Sequence, residues 1–166
     1  MQPSPMQLAW CELTAEIPFQ FFGTYSFDGL RRLHPEAAHK KLRLHTHRFN
    51  DLVFGKHWYK HTPGIGSLIA LEPHKDDRIH VHCLHYHPEL HKETIEHRML
   101  LKNLWEAGDY AHRDSLREGI SRVLPAADDA AKAYCAKAYA TKGGDLWIDD
   151  ALRHYMLGQP WQRKLK

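Results

Sequence analysis

The 166-residue sequence has few cysteines, few glycines and prolines, and no long apolar run. Cys11, Cys83 and Cys135 are odd in number and far apart, which argues against a disulfide framework and for a reducing compartment. Ten glycines and nine prolines are too few for a collagen-like or low-complexity protein. No stretch approaches the roughly 20 apolar residues of a membrane helix, and the mean hydropathy is -0.59. These absences leave an ordinary globular protein.

The N-terminal segment lacks the basic-then-apolar pattern of a signal peptide. We therefore expect one intracellular domain spanning 1–166. Histidine, in contrast, is abundant, with 15 in the chain. The formal charge of +3 and the pI near 8.7 favour an acidic partner such as nucleic acid without establishing one.

Apolar spacing and turn signals predict an α+β fold. Strands are expected at 19–27, 67–72, 79–86 and 120–124, and helices at 42–60, 89–107 and 126–142. The strands at 67–72 and 79–86 flank a short polar connection and should form a hairpin. This order predicts an antiparallel sheet with helices packed on it.

The second hairpin strand carries two histidines that share one face. Side chains alternate along a strand, so His80 and His82 point the same way. If Glu72 lies opposite His80, its carboxylate joins them on that face. Two imidazoles and one carboxylate suit Mg²⁺ or Mn²⁺, so these three residues are candidate metal ligands. The neighbouring histidines are expected to be surface or second-site residues with structural roles: His74, His85, His87 and His91.

The predicted helix at 126–142 contains two Tyr-x-x-Lys units, Tyr134 with Lys137 and Tyr139 with Lys142. Residues three apart on a helix are neighbours. An adjacent ammonium group stabilises a phenolate and eases loss of its proton. Each tyrosine is therefore a candidate nucleophile, although an amphipathic packing helix explains either unit taken alone.

Three segments in this order resemble the HUH endonucleases, in particular the rolling-circle replication initiator (Rep) proteins. FFGTYSF is similar to the family's first motif. His80-Val81-His82, with Glu72 upstream, is similar to the second, and YCAKAYATKGGD to the third. The resemblance covers roughly 19–145 and implies a five-stranded, ferredoxin-like sheet.

The resemblance also implies a function: metal-dependent nicking and joining of single-stranded DNA through a 5′-phosphotyrosine. Tyr134 and Tyr139 are five residues apart, about 140° around a helix, so we expect one nucleophile. Tyr139 with Lys142 is favoured because Gly-Gly-Asp follows, and Tyr134 is the reserve. Further residues are expected to contact DNA: Tyr25, Phe27, Lys75 and Arg78.

The implied partners are single-stranded DNA or an origin hairpin, with a host replication helicase as a further partner. The implied location is the cytoplasm of a prokaryotic host, or the nucleus of a eukaryotic virus's host. Two alternatives stay open. A single-tyrosine HUH transposase would use Tyr155 and Gln159, but Gly158 and Pro160 disfavour a helix there. A non-catalytic nucleic-acid-binding module would need no metal.

Overall fold

The computed structural model describes residues 4–27, 34–73, 79–107, 121–126, 128–138 and 144–158. It confirms the predicted α+β class. A five-stranded sheet has the order β4-β1-β3-β2-β5, and every neighbouring pair is antiparallel. The strands are β1 (Phe21–Ser26), β2 (Gly66–Pro73), β3 (Ile79–Tyr86), β4 (Ser121–Pro125) and β5 (Asp145–Ile148).

The described residues also form five α-helices and one short 3-10 segment. The helices are α1 (Pro5–Leu13), α2 (Pro35–Val53), α3 (Ile95–Glu106), α4 (Asp128–Ala138) and α5 (Asp150–Leu157), and the 3-10 turn spans Trp58–Lys60. Within the described part of the chain, no helix combines the length and apolar character needed to cross a bilayer.

Each face of the sheet has its own apolar cluster. Strand residues of one parity, such as Tyr25 and Val81, pack with α2 and α3 around the buried ring of Trp105. Residues of the other parity, such as Leu84 and Ala70, pack with α1, α4 and α5. The sheet is therefore covered on both sides, and β1 and β3 present different side chains to the two layers.

The strand predictions agree well with the structure. The predicted hairpin is present as β2 and β3, and Glu72 pairs with His80 across it. The strand expected at 19–27 is observed as the shorter β1, and the one at 120–124 as β4. The sequence did not predict β5, which lies beside β2 at the edge of the sheet.

Helix boundaries were predicted less well. Helix α2 begins at Pro35, where the His34 side chain caps the first turn, and ends at Val53, so the prediction of 42–60 was shifted. Helix α3 begins six residues later than expected. Gly158 and Pro160 were expected to disfavour a helix at Tyr155 and Gln159, but Tyr155 lies in α5, although that helix ends before Gln159. Gly158 has φ of 59° and ends α5 as a left-handed cap.

Candidate active site

The candidate site lies on the sheet face that packs with α4. Strand β1 runs antiparallel to β3, with Thr24 opposite His82 and Ser26 opposite His80. On the other side of β3, Glu72 lies opposite His80. Because directly opposed residues in an antiparallel pair share a face, two hydroxyls and one carboxylate flank the two imidazoles. We call this surface the histidine face.

His82 is held from both sides. Its Nδ1 lies 3.1 Å from Thr24 Oγ1, and its Nε2 lies 3.3 Å from Glu72 Oε2. The residue is only 6% exposed. Burial lowers the pKa of the imidazole, and the nearby Glu72 carboxylate only partly opposes that shift. A lowered pKa favours the neutral ring, which is the form that binds metals.

His80, like His82, has its Nδ1 atom close to a hydroxyl group of β1. Its Nδ1 lies 3.2 Å from Ser26 Oγ, so both histidines place the same ring nitrogen against a hydroxyl of β1. Metal-binding histidines commonly use one nitrogen for the metal and fix the ring through the other. The repeated Nδ1 contact therefore makes Nε2 the nitrogen that would serve as a ligand.

Tyr134 on α4 lies against the histidine face. Its ring packs edge-on against His82, with centroids 4.9 Å apart, and edge-on against Phe22 at 5.9 Å. Phe22 in turn stacks on His82, with an angle of 8° between the rings. Tyr134 is nevertheless 45% exposed. The structure thus brings together a carboxylate, an imidazole and an accessible phenol.

The charges around Tyr134 do not yet favour a phenolate. Burial raises the pKa of the phenol, and the negative charge of Glu72 raises it further. The expectation that a lysine three residues away lowers this pKa is therefore not met at Tyr134. Neutralising the Glu72 carboxylate would remove the second largest of the causes that raise this pKa, and a cation bound to Glu72 would do so.

The described residues form a pair of metal donors rather than a complete set. Over those residues, no three His, Cys, Asp or Glu side chains are arranged to hold a metal ion. Glu72 and His82 supply two adjacent donor atoms, and a three-ligand set would need His80 to join them. The donor types, one carboxylate oxygen and neutral imidazole nitrogens, suit Mn²⁺ and are compatible with Mg²⁺. In chemical type the residues therefore fit a divalent cation.

Two predicted DNA contacts are wrong. Tyr25, on β1, and Phe27, just after its end, are 0% and 3% exposed, because both pack in the core cluster beneath α2 and α3. Both rings pack on Trp105. They cannot stack on the bases of a bound strand. Four other predicted site residues lie outside the described residues: Lys75, Arg78, Tyr139 and Lys142.

The expectation that His85 and His87 lie on the surface is also wrong, since both are buried. His85 does point away from the histidine face, as predicted. Its Nε2 lies 3.0 Å from the Tyr25 hydroxyl and its Nδ1 lies 3.0 Å from Ser67 Oγ. Both nitrogens are thus used inside the core, which agrees with the expected structural role.

Tyr155, the nucleophile of the transposase alternative, is fixed by hydrogen bonds and by packing against neighbouring rings. Its hydroxyl donates to the Gly64 carbonyl at 2.8 Å and lies 3.4 Å from Thr62 Oγ1. The ring packs on Tyr86 and His87. Burial raises the pKa of this phenol strongly. These contacts place Tyr155 in a packing role.

Sequence reasoning missed Phe22, Thr24 and Ser26, which contact the two histidines from β1. The alternation of β1 puts these three residues on one face, opposite to Tyr25. That signal was present in the sequence. Which face meets His82 depends on the register between β1 and β3, which joins residues almost sixty positions apart.

Comparisons of the chain with protein-family models, with curated proteins and with solved structures give no match.

Proposed function

We propose that this protein is a metal-dependent endonuclease of the HUH type, which nicks and rejoins single-stranded DNA to initiate rolling-circle replication. The observation that carries the proposal is the convergence of Glu72, His82 and Tyr134 on the histidine face. These residues come from β2, β3 and α4. The three residues therefore come together from three separate elements, and these elements follow one another along the chain in the order of the second and third motifs.

Tyr134 is the nucleophile in this proposal. Its hydroxyl oxygen attacks the phosphorus of the scissile phosphodiester, and the bond from phosphorus to the 3′ oxygen breaks. The strand downstream becomes linked through its 5′ phosphate to the tyrosine. The phenol loses its proton to solvent, and the departing 3′ oxygen takes one up. Attack by a 3′ hydroxyl on the phosphotyrosine reverses the step, so rejoining needs no ATP.

The other residues orient this reaction. Glu72, His82 and His80 would hold Mg²⁺ or Mn²⁺, which would supply charge to offset that developing on the phosphate oxygens. Thr24 and Ser26 fix the two imidazoles through Nδ1. The Tyr134 ring packs edge-on against both Phe22 and His82, which limits the positions that its hydroxyl samples.

The proposal is tested by incubating the protein with pooled single-stranded oligonucleotides and Mn²⁺, followed by a denaturing gel. We expect a band of protein covalently joined to DNA, absent when EDTA replaces Mn²⁺. The Tyr155→Phe variant should form the band like the wild type. Loss of the band in Tyr155→Phe protein that is folded would favour the transposase alternative. DNA binding without a covalent product would favour the non-catalytic module.

A further inference from the structure

A groove on the opposite side of the sheet has the features of a second ligand site. It encloses about 420 Å³ between α2, the turn at Trp58–Lys60 and the start of α5. This volume is within the range of small-molecule sites. Its floor is apolar, formed by Leu42, Ile65 and Ile69. Ile69 lies on β2, as Glu72 does, but its odd position turns it to the sheet face opposite the histidine face.

Two tryptophan side chains line the groove, and each is fixed by a polar partner. The Trp147 ring stacks on His39, with centroids 3.6 Å apart and an angle of 23°. Trp58 Nε1 donates to Asp51 Oδ1 at 3.1 Å. Indoles held in this way offer flat surfaces that need little ordering when a planar group binds. The groove therefore favours a ligand that contains an aromatic ring.

Among the described residues, the charged side chains that line the groove are one cation, Arg43 on α2, and two carboxylates, Asp149 and Asp150, at the start of α5. Arg43 lines it from α2 and is exposed, and its guanidinium has no hydrogen bond or ion pair with any described residue. The two carboxylates that line the groove are both engaged. Asp149 accepts from the Leu152 amide at 2.8 Å, and Asp150 lies 3.6 Å from Arg153. Because neither carboxylate pairs with Arg43, the guanidinium favours an anionic group on the ligand at the α2 side of the groove.

We propose that the groove binds a nucleotide unit, with its base against the tryptophans and its phosphate at Arg43. Stacking on aromatic side chains accepts any base, and a guanidinium matches the geometry of a phosphate. The unit could be a free mononucleotide or one nucleotide of a single strand. The proposal does not depend on the nuclease activity, because the groove and the histidine face lie on different sides of the sheet.

The test follows the indole N–H signals of Trp58 and Trp147 by NMR in ¹⁵N-labelled protein, with the buried Trp105 as an internal reference. Deoxynucleoside monophosphates, the matching nucleosides and short single-stranded oligonucleotides are titrated in without metal. Arg43→Gln is compared with Arg48→Gln, which removes an exposed arginine of the same helix outside the groove.

We expect the nucleotides to shift the Trp58 and Trp147 signals, and Arg43→Gln to weaken their binding about tenfold, as for loss of a charged hydrogen bond. Arg48→Gln should have little effect, and the nucleosides should bind both variants equally. Shifts with mononucleotides identify a free nucleotide as the ligand, and shifts with oligonucleotides alone identify a strand.

The proposal is overturned if neither probe shifts these two signals, or if both arginine variants bind alike. It is also overturned if a simple aromatic acid such as indole-3-acetate binds as tightly as the nucleotides. Each of these results leaves adduct formation at the histidine face untouched, so a failure here is separate from failure of the proposed nuclease.

Discussion

Two histidines of one strand, His82 and His85, have opposite environments. His85 is 0% exposed, and its two ring nitrogens contact the hydroxyls of Ser67 and Tyr25 inside the core. His82 is also well buried, but only its Nδ1 is held by a hydroxyl, and its Nε2 faces the Glu72 carboxylate. An exposed tyrosine, Tyr134, lies beside that second imidazole.

Burial alone therefore does not distinguish His85, which has a structural role, from His82, which we propose as a metal ligand. What separates them is the use of the second ring nitrogen. In His85 it completes a hydrogen-bonded core, which satisfies polar groups that would otherwise be costly. In His82 it meets a charged acceptor at the edge of an accessible phenol, an arrangement that a metal or a phosphate can use.

The largest expected effect follows removal of the Tyr134 hydroxyl. Tyr134→Phe keeps the ring that packs on Phe22 and His82 but deletes the proposed nucleophile. We expect adduct formation with single-stranded DNA to fall by about 10³-fold or more, measured as the rate of appearance of the covalent band. Unchanged circular dichroism and thermal unfolding would show that the fold is intact. An undiminished rate would place the nucleophile elsewhere.

His85→Phe should reverse that pattern, with a loss of stability and intact chemistry at the histidine face. The substitution leaves the Ser67 and Tyr25 hydroxyls without the imidazole that each contacts. We expect the free energy of unfolding to fall by about 3 kcal/mol, measured by urea denaturation. Mn²⁺ affinity of the folded variant should match the wild type. A variant as stable as the wild type would contradict the structural role.

Acid should destabilise the core through its neutral histidines. Burial lowers the pKa of His45 and of His85 to about 3, from 6.5 when unfolded. The unfolded chain therefore binds more protons below pH 6.5, and stability falls as the pH drops through that range. Asp149, whose pKa burial raises to about 6, opposes this effect, because its folded form takes up a proton first.

The net loss of stability between pH 7 and pH 5 should be about 2 kcal/mol, measured by urea denaturation at each pH. His45→Leu is the informative variant, because neither ring nitrogen of His45 has a partner in the described structure. This substitution should reduce the loss of stability between pH 7 and pH 5 by about the contribution of one histidine. A dependence that is the same in wild type and variant would show that His45 is not a buried neutral group.

The smallest expected effect concerns the Thr24 hydroxyl that contacts His82 Nδ1. Thr24→Val has nearly the same shape but cannot hold the ring, and we expect Mn²⁺ affinity to fall about tenfold, measured by calorimetry. Thr24→Ser keeps a hydroxyl and should stay near the wild-type affinity. Equal weakening in both variants would point to packing of the threonine methyl group instead.

The hairpin and its shared face could be predicted because they depend on local information. A short polar connection fixes which strands pair, and alternation fixes which side chains share a face. The condition that Glu72 lies opposite His80 went beyond these two rules, and the structure meets it. The α+β class followed from the order of the elements.

The rest depends on contacts between distant parts of the chain. Whether Thr24 or Tyr25 faces His82 is set by the pairing of β1 with β3, which no local pattern encodes. The position of Tyr134 over His82 likewise depends on how α4 packs across the sheet. The start of α2 was misjudged because its first turns are rich in charged residues and histidine, which hide its single buried face.

The most direct test maps the residue that carries the DNA. Trypsin cuts after Lys132, Lys137 and Lys142, so Tyr134 falls in peptide 133–137 and Tyr139 in peptide 138–142. After the Mn²⁺ reaction and nuclease trimming, mass spectrometry should find the nucleotide-bearing tyrosine in 133–137. A modification in 138–142, or on the peptide that contains Tyr155, would contradict the assignment of Tyr134 as the nucleophile of the histidine face.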